Sequence, residues 1–167
     1  MRNGMKLLLC AAVVAGCGSS STSGEVFHAN MSAAQEVTTP PPNVAGANPV
    51  GTAVFTNNGD GTVSYTVNAS GLTTQFSGVT FTGMHIHLGA SGASAGIAVP
   101  LTTPTAGATA GTTTVAGTFS ASTITQAGVT LDQVLTAMRN GNAAYINIHT
   151  SRNPGGELRG QISSGGL

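Results

Sequence analysis

From residue 25 onward, apolar and polar positions alternate in short runs broken by Gly, Asn and Pro. That is the period-two pattern of strands buried on one face. It predicts a first strand over 26–31, then an irregular, proline-stiffened connection over 39–49. Strands over 51–56 and 62–69 flank Asn57-Asn58-Gly59-Asp60-Gly61, whose Gly and Asn supply the positive φ of a hairpin turn. A strand over 81–88 runs into a glycine-rich loop over 89–96. Strands over 97–101 and 112–120 follow, with an exposed Thr/Ala-rich connection between them. Two more, over 145–150 and 157–162, are joined by a turn through Asn153-Pro154-Gly155-Gly156.

The period changes once. Thr130 and Gln133 are spaced as a capping box, Leu131, Val134, Leu135 and Met138 then fall on one face, and Gly141 is placed to end the helix. The chain therefore reads as all-β: an antiparallel, Greek-key-like sandwich or barrel with one short helix near 131–140, packed over one end.

The first residues follow another logic. Arg2 and Lys6 precede an apolar stretch over 7–15 that is too short to span a bilayer. Val14-Ala15-Gly16-Cys17 resembles the lipobox of bacterial lipoproteins, the alternative being an ordinary secretory signal with an incidental cysteine. The expected organisation is a signal peptide over 1–16, a lipidated Cys17 with a Ser/Gly tether over 17–24, and one domain over 25–167. The resemblance implies a bacterial cell-envelope protein, held to a membrane by its N-terminal lipid and facing the periplasm or the cell exterior.

Composition narrows the chemistry. Only 6% of the 167 residues are charged and the net charge is zero, which removes the basic footprint of nucleic-acid binding and any polybasic membrane patch. Lys6 and Cys10 would leave with the signal, and Cys17 would carry lipid. The domain then has no lysine for Schiff-base or P-loop chemistry, and no thiolate or disulfide. Its ions are Arg139, Arg152 and Arg159 against Glu25, Glu36, Asp60, Asp132 and Glu157; three positives and five negatives give a formal −2. No close pair of acids is present. Asp60 and Asp132 suit a turn and a helix first turn, whereas Glu25 and Glu36 have no visible partner.

Histidine placement carries the remaining signal. His85 and His87 fall on one face of their strand, with Met84, Ile86 and Leu88 on the other. Tyr145, Asn147 and His149 share a face opposite Ile146 and Ile148. If these strands are neighbours, His85, His87 and His149 converge on a polar face and can hold copper or, as second choice, zinc. The plain alternative is three polar strand positions satisfied by hydroxyls or water. Glu157 and Arg159 share a face of the last strand and either orient the imidazoles or pair with each other as surface ions, and Asn147 is a further orienting candidate. His28, alone in the first strand, reads as structural.

The segments Phe27-His28-Ala29, Ala34-Gln35-Glu36-Val37, His85-Ile86-His87-Leu88-Gly89, Ala144-Tyr145-Ile146-Asn147-Ile148-His149-Thr150, and Asn153-Pro154-Gly155-Gly156-Glu157-Leu158-Arg159-Gly160-Gln161-Ile162 together resemble the CHRD domain, a module of chordin and of bacterial secreted proteins. The likeness covers the whole domain and implies an extracellular β-fold. Thr38-Thr39 before the proline run departs from it locally. A fainter likeness is to Cu,Zn superoxide dismutase, in which an H-x-H strand, a later histidine and an arginine occur in the order of His85, His87, His149 and Arg159. The bridging histidine, zinc ligands and cysteines of that enzyme are missing here. Three roles follow: a metal-holding binding module, a copper-dependent redox enzyme, or a cell-surface module contacting protein or glycan without metal.

Overall fold

The computed structural model describes residues 24–73, 81–102 and 113–165. The expected signal peptide, Cys17, the tether as far as residue 23 and the connection over 103–112 lie outside the described residues. Eight strands and one α-helix follow in the order β1 (Glu25–Ser32), β2 (Val50–Asn57), β3 (Thr62–Ser70), β4 (Phe81–His87), β5 (Ile97–Pro100), β6 (Thr113–Ser120), α1 (Leu131–Asn140), β7 (Tyr145–Thr150) and β8 (Leu158–Gln161). All strands pair antiparallel in one sheet of order β5-β4-β7-β8-β1-β2-β3-β6.

The sheet rolls into a nearly closed barrel. Its edges meet where Thr125 N–H donates to the Ala98 carbonyl and Thr102 N–H to Tyr65 Oη, both at 2.9 Å. The chain passes from β3 to β4, from β5 to β6 and from β6 to β7 without pairing the strands it joins, which gives the Greek-key-like wiring. Two halves result: β1, β2, β3 and β6 form one, and β5, β4, β7 and β8 the other. They join at β1 and β8 through a single register pair, Ser32 with Arg159. Gly160 makes that join possible, because a Cβ there would strike the Asn30 carbonyl oxygen.

Period-two alternation places the core. Phe27, Ala29 and Met31, Ala53 and Phe55, Val63, Tyr65 and Val67, Met84 and Ile86, and Ile146 and Ile148 all point inward and are buried. Helix α1 closes one end with Val134, Leu135 and Met138. Its capping box is formed: Gln133 N–H donates to Thr130 Oγ1 at 3.3 Å, and Thr130 N–H to Gln133 Oε1 at 2.8 Å. Gly141 ends it at φ 74°. Glu25, for which the sequence offered no partner, forms a two-pronged ion pair with Arg139 at 2.7 Å for each bond. Among the described residues no helix is long and apolar enough to cross a membrane.

Candidate metal centre

β4 and β7 are neighbours, and their register sets His87 opposite Tyr145, His85 opposite Asn147 and Gly83 opposite His149. All of these point away from the core, so the three histidines come together as the alternation requires. One ring nitrogen from each lies within 4.8 Å of the others. The ring of His85 stands 5.1 Å from that of His149 and 5.9 Å from that of His87, edge to face in both pairs. Metal–nitrogen bonds of about 2.0–2.1 Å call for donors about 3.3–3.6 Å apart, so small side-chain rotations close the triangle.

Backbone carbonyls fix two of the rings. His87 Nδ1 lies 3.0 Å from the Ala95 oxygen, and His149 Nδ1 2.9 Å from the Pro154 oxygen. A carbonyl only accepts, so in its neutral form His149 carries the proton on Nδ1 and keeps a lone pair on Nε2. Metal-ligating histidines are held in this way. His149 Nε2 and His85 Nδ1 are buried with no hydrogen-bond partner, which is costly unless something occupies the space between them. His87 has an acceptor at each ring nitrogen, its Nε2 lying 3.0 Å from Oδ1 of the Asn147 carboxamide, so Nε2 offers a lone pair to a metal only once that contact is given up. Burial pushes the His85 pKa down to about 4, helped by the neighbouring charges of His149 and His87. Burial also lowers that of His149, against the opposing pull of the Pro154 carbonyl. Both rings are thus neutral near pH 7, the form that binds metal.

This face is not a surface. The loop after β4 folds back over it: Arg159 Nη2 donates to the Ala90 oxygen at 2.8 Å, Gln161 Nε2 to the Gly89 oxygen at 3.2 Å, and Ala95 N–H to Tyr145 Oη at 3.1 Å. Beneath the loop, Tyr145 stacks on His87 at 4.7 Å, while the Arg159 guanidinium lies 3.5 Å from the centroid of the tyrosine ring. Glu36 comes in from the connection after β1. Burial pushes its pKa up to about 7, against the Arg159 charge and a hydrogen bond from Asn147.

Glu157 and Arg159 correct an expectation. They are buried, at 0% and 2% exposure, and they do not pair with each other. Glu157 Oε2 instead accepts from Thr150 Oγ1 at 2.6 Å, Asn153 Nδ2 at 2.9 Å and Thr73 Oγ1 at 3.3 Å. Arg159 reaches His87 only through the Tyr145 ring. Of the three orienting candidates, Asn147 is the one that meets an imidazole directly. His28 stays with β1, its backbone bridged to Ser163.

Sequence reasoning missed two contributors. Gly83 stands two residues before His85 on the same face, and a Cβ there would lie 2.8 Å from His85 Cε1. The motif is therefore G-x-H-x-H, the glycine leaving room for the first ring. The spacing was a usable signal. Glu36 had none, since only tertiary folding brings it to Asn147.

A groove of about 440 Å³ lies against Asn30, Thr52, Asn68 and Thr114, and another of about 290 Å³ against the 38–43 and 152–156 segments. Neither is lined by the three histidines. The CHRD-domain family model matches residues 27–162, almost the whole folded part, and the chain belongs to that family. No curated protein and no solved structure matches it.

Proposed function

We propose that this CHRD domain is a binding module of the bacterial cell envelope, anchored through a lipid on Cys17, that holds a copper or zinc ion on His85, His87 and His149. The observation that carries the reading is the convergence of three imidazole nitrogens within 4.8 Å, in a cluster where His85 Nδ1 and His149 Nε2 are buried without a hydrogen-bond partner. Backbone carbonyls hold two of the rings through Nδ1, which in His149 leaves Nε2 as the lone-pair nitrogen. Bound there, the ion would act as a Lewis acid with at least one open position. The chain's own residues orient and shelter it: Ala95 and Pro154 hold the His87 and His149 rings, Tyr145 stacks on His87, and the loop over 88–96 partly covers the site.

Titration of the domain with Cu(II) and with Zn(II), followed by the histidine ring resonances, tests this. The expected result is uptake of one ion with all three rings shifted, and loss of that uptake in His149→Ala. Binding no tighter than millimolar, or binding indifferent to His149→Ala, overturns it. For the anchor, Cys17→Ser is expected to move the protein from the membrane fraction to the soluble one. A wild-type protein already soluble overturns that part.

A further inference from the structure

The three imidazoles are neutral donors, and among the described residues no carboxylate or thiolate joins them within ligating distance. The two acids nearby, buried Glu157 and half-buried Glu36, stand outside the histidine cluster, although one oxygen of each has no hydrogen-bond partner. Glu157 spends one oxygen on Thr150, Asn153 and Thr73. Glu36 lies beside Arg159, so their charges answer each other. An ion bound between the rings would therefore have no anionic ligand from the described residues to neutralise its charge directly. The place is partly closed to water: His87 is 6% exposed and backed by the Tyr145 ring, and His85 Nδ1 and His149 Nε2 are buried.

The cost of taking an ion out of water rises with the square of its charge, so a divalent ion is penalised roughly four times as heavily as a monovalent one. Geometry leans the same way. Donors as far apart as 4.8 Å close more easily onto a flat three-coordinate centre than onto a tetrahedron. A flat centre needs separations of about 3.6 Å and a tetrahedral one about 3.3 Å for bonds of 2.0–2.1 Å. Of the ions that imidazole suits, only copper has a stable monovalent state, and that state accepts three ligands.

We propose that the three-histidine centre selects monovalent copper, Cu(I), over Cu(II) and Zn(II). The inference rests on the metal-binding reading above, and one set of measurements separates the two. Anaerobic competition of the folded domain with a colorimetric Cu(I) chelator gives the Cu(I) affinity, and parallel titrations give those for Cu(II) and Zn(II). Cu(I) is expected to bind at least a hundredfold more tightly than either. A hundredfold preference over Cu(II) raises the potential of the bound couple above that of free copper by about 120 mV, at 59 mV per tenfold for one electron. Asn147→Asp sets a carboxylate against His87 and is expected to narrow the preference at least tenfold, lowering the potential by about 60 mV. If Cu(II) or Zn(II) binds as tightly as Cu(I), the selectivity is overturned and the metal site stands. If no ion binds, both fall. The wild-type potential decides the matter without the variant, should Asn147→Asp fail to fold.

Discussion

The two halves of the sheet turn similar alternations to opposite uses. On β1, β2, β3 and β6 the outward positions pair into cross-strand rows: Asn30 with Thr52, Asn68 and Thr114, and His28 with Val54, Thr66 and Ala116. That face carries no charge, and Asn30, Thr66, Asn68, Thr114, Ala116 and Thr118 are exposed. On β4, β7 and β8 the outward positions are His85, His87, Tyr145, Asn147, His149 and Arg159, and loops bury most of them. A polar strand face left bare needs little from its neighbours, since water satisfies it. A polar face that is covered must find a partner for every group, and unpartnered nitrogens on two of three clustered histidines make that cluster a candidate for a ligand.

The largest expected contrast is in stability. Arg159→Ala removes a 2%-exposed guanidinium from Tyr145, the Ala90 carbonyl and the neighbourhood of Glu36. Breaking a buried charge network of this kind costs about 3–5 kcal/mol. The denaturation midpoint, read with the slope held fixed, measures it. A loss below about 1 kcal/mol, the level of exposed ion pairs, would place the covered half on the same footing as the bare one.

Next comes a pair of glycine substitutions, one in each half. Gly83→Ala sets a Cβ 2.8 Å from His85 Cε1, and Gly117→Ala sets one 2.5 Å from Tyr65 Oη. Both overpack, at about 1–3 kcal/mol. Only Gly83→Ala displaces a ligand, so it is expected to weaken metal binding at least tenfold while Gly117→Ala leaves it unchanged. Equal effects on metal affinity would show that the loss comes from general loosening and not from the His85 ring.

The strands and the helix were legible because each is a local pattern. Thr130, Gln133 and Gly141 announce α1 to the residue, and the H-x-H of β4 and the phase of His149 already specify a shared face. The strand expected from 157 starts at Leu158, although the Glu157 N–H already donates to the Ile148 carbonyl of β7 at 2.7 Å. What covers the site was not legible. Alternation tells inward from outward, and it cannot tell bare from buried when the cover comes from loops distant in sequence. Glu36 and Ala95 meet Asn147 and His87 across 111 and 8 positions with no pattern to announce them.

A smaller effect separates the halves by pH. Between pH 4.5 and 7 the unfolded chain has released the Glu36 proton that the folded chain still holds, so raising the pH across that window lowers stability. His85 acts in the opposite sense. Between pH 6.5 and 4 the unfolded ring takes up a proton and the folded ring does not, so lowering the pH there lowers stability. The wild type is expected to show a shallow profile where the two windows overlap. Glu36→Gln removes one slope and leaves stability rising with pH from about 4 to 6.5, as chemical denaturation at a series of pH values reads it. A Glu36→Gln profile as flat as that of the wild type would contradict the burial of Glu36.

The smallest expected effect is also the sharpest statement about the bare half. Thr66 is exposed in the middle of its row, between Val54 and Ala116. Thr66→Lys adds a charge to a face that has none. A long side chain free to reach water costs a surface position no more than about 0.5 kcal/mol, with some loss from the β-branch it replaces. Metal affinity should not move, because the barrel core lies between Thr66 and the histidines. A cost of several kcal/mol would mean that this face too is covered in the folded protein, and the bare alternation of β1, β2, β3 and β6 would then hide a second buried polar layer.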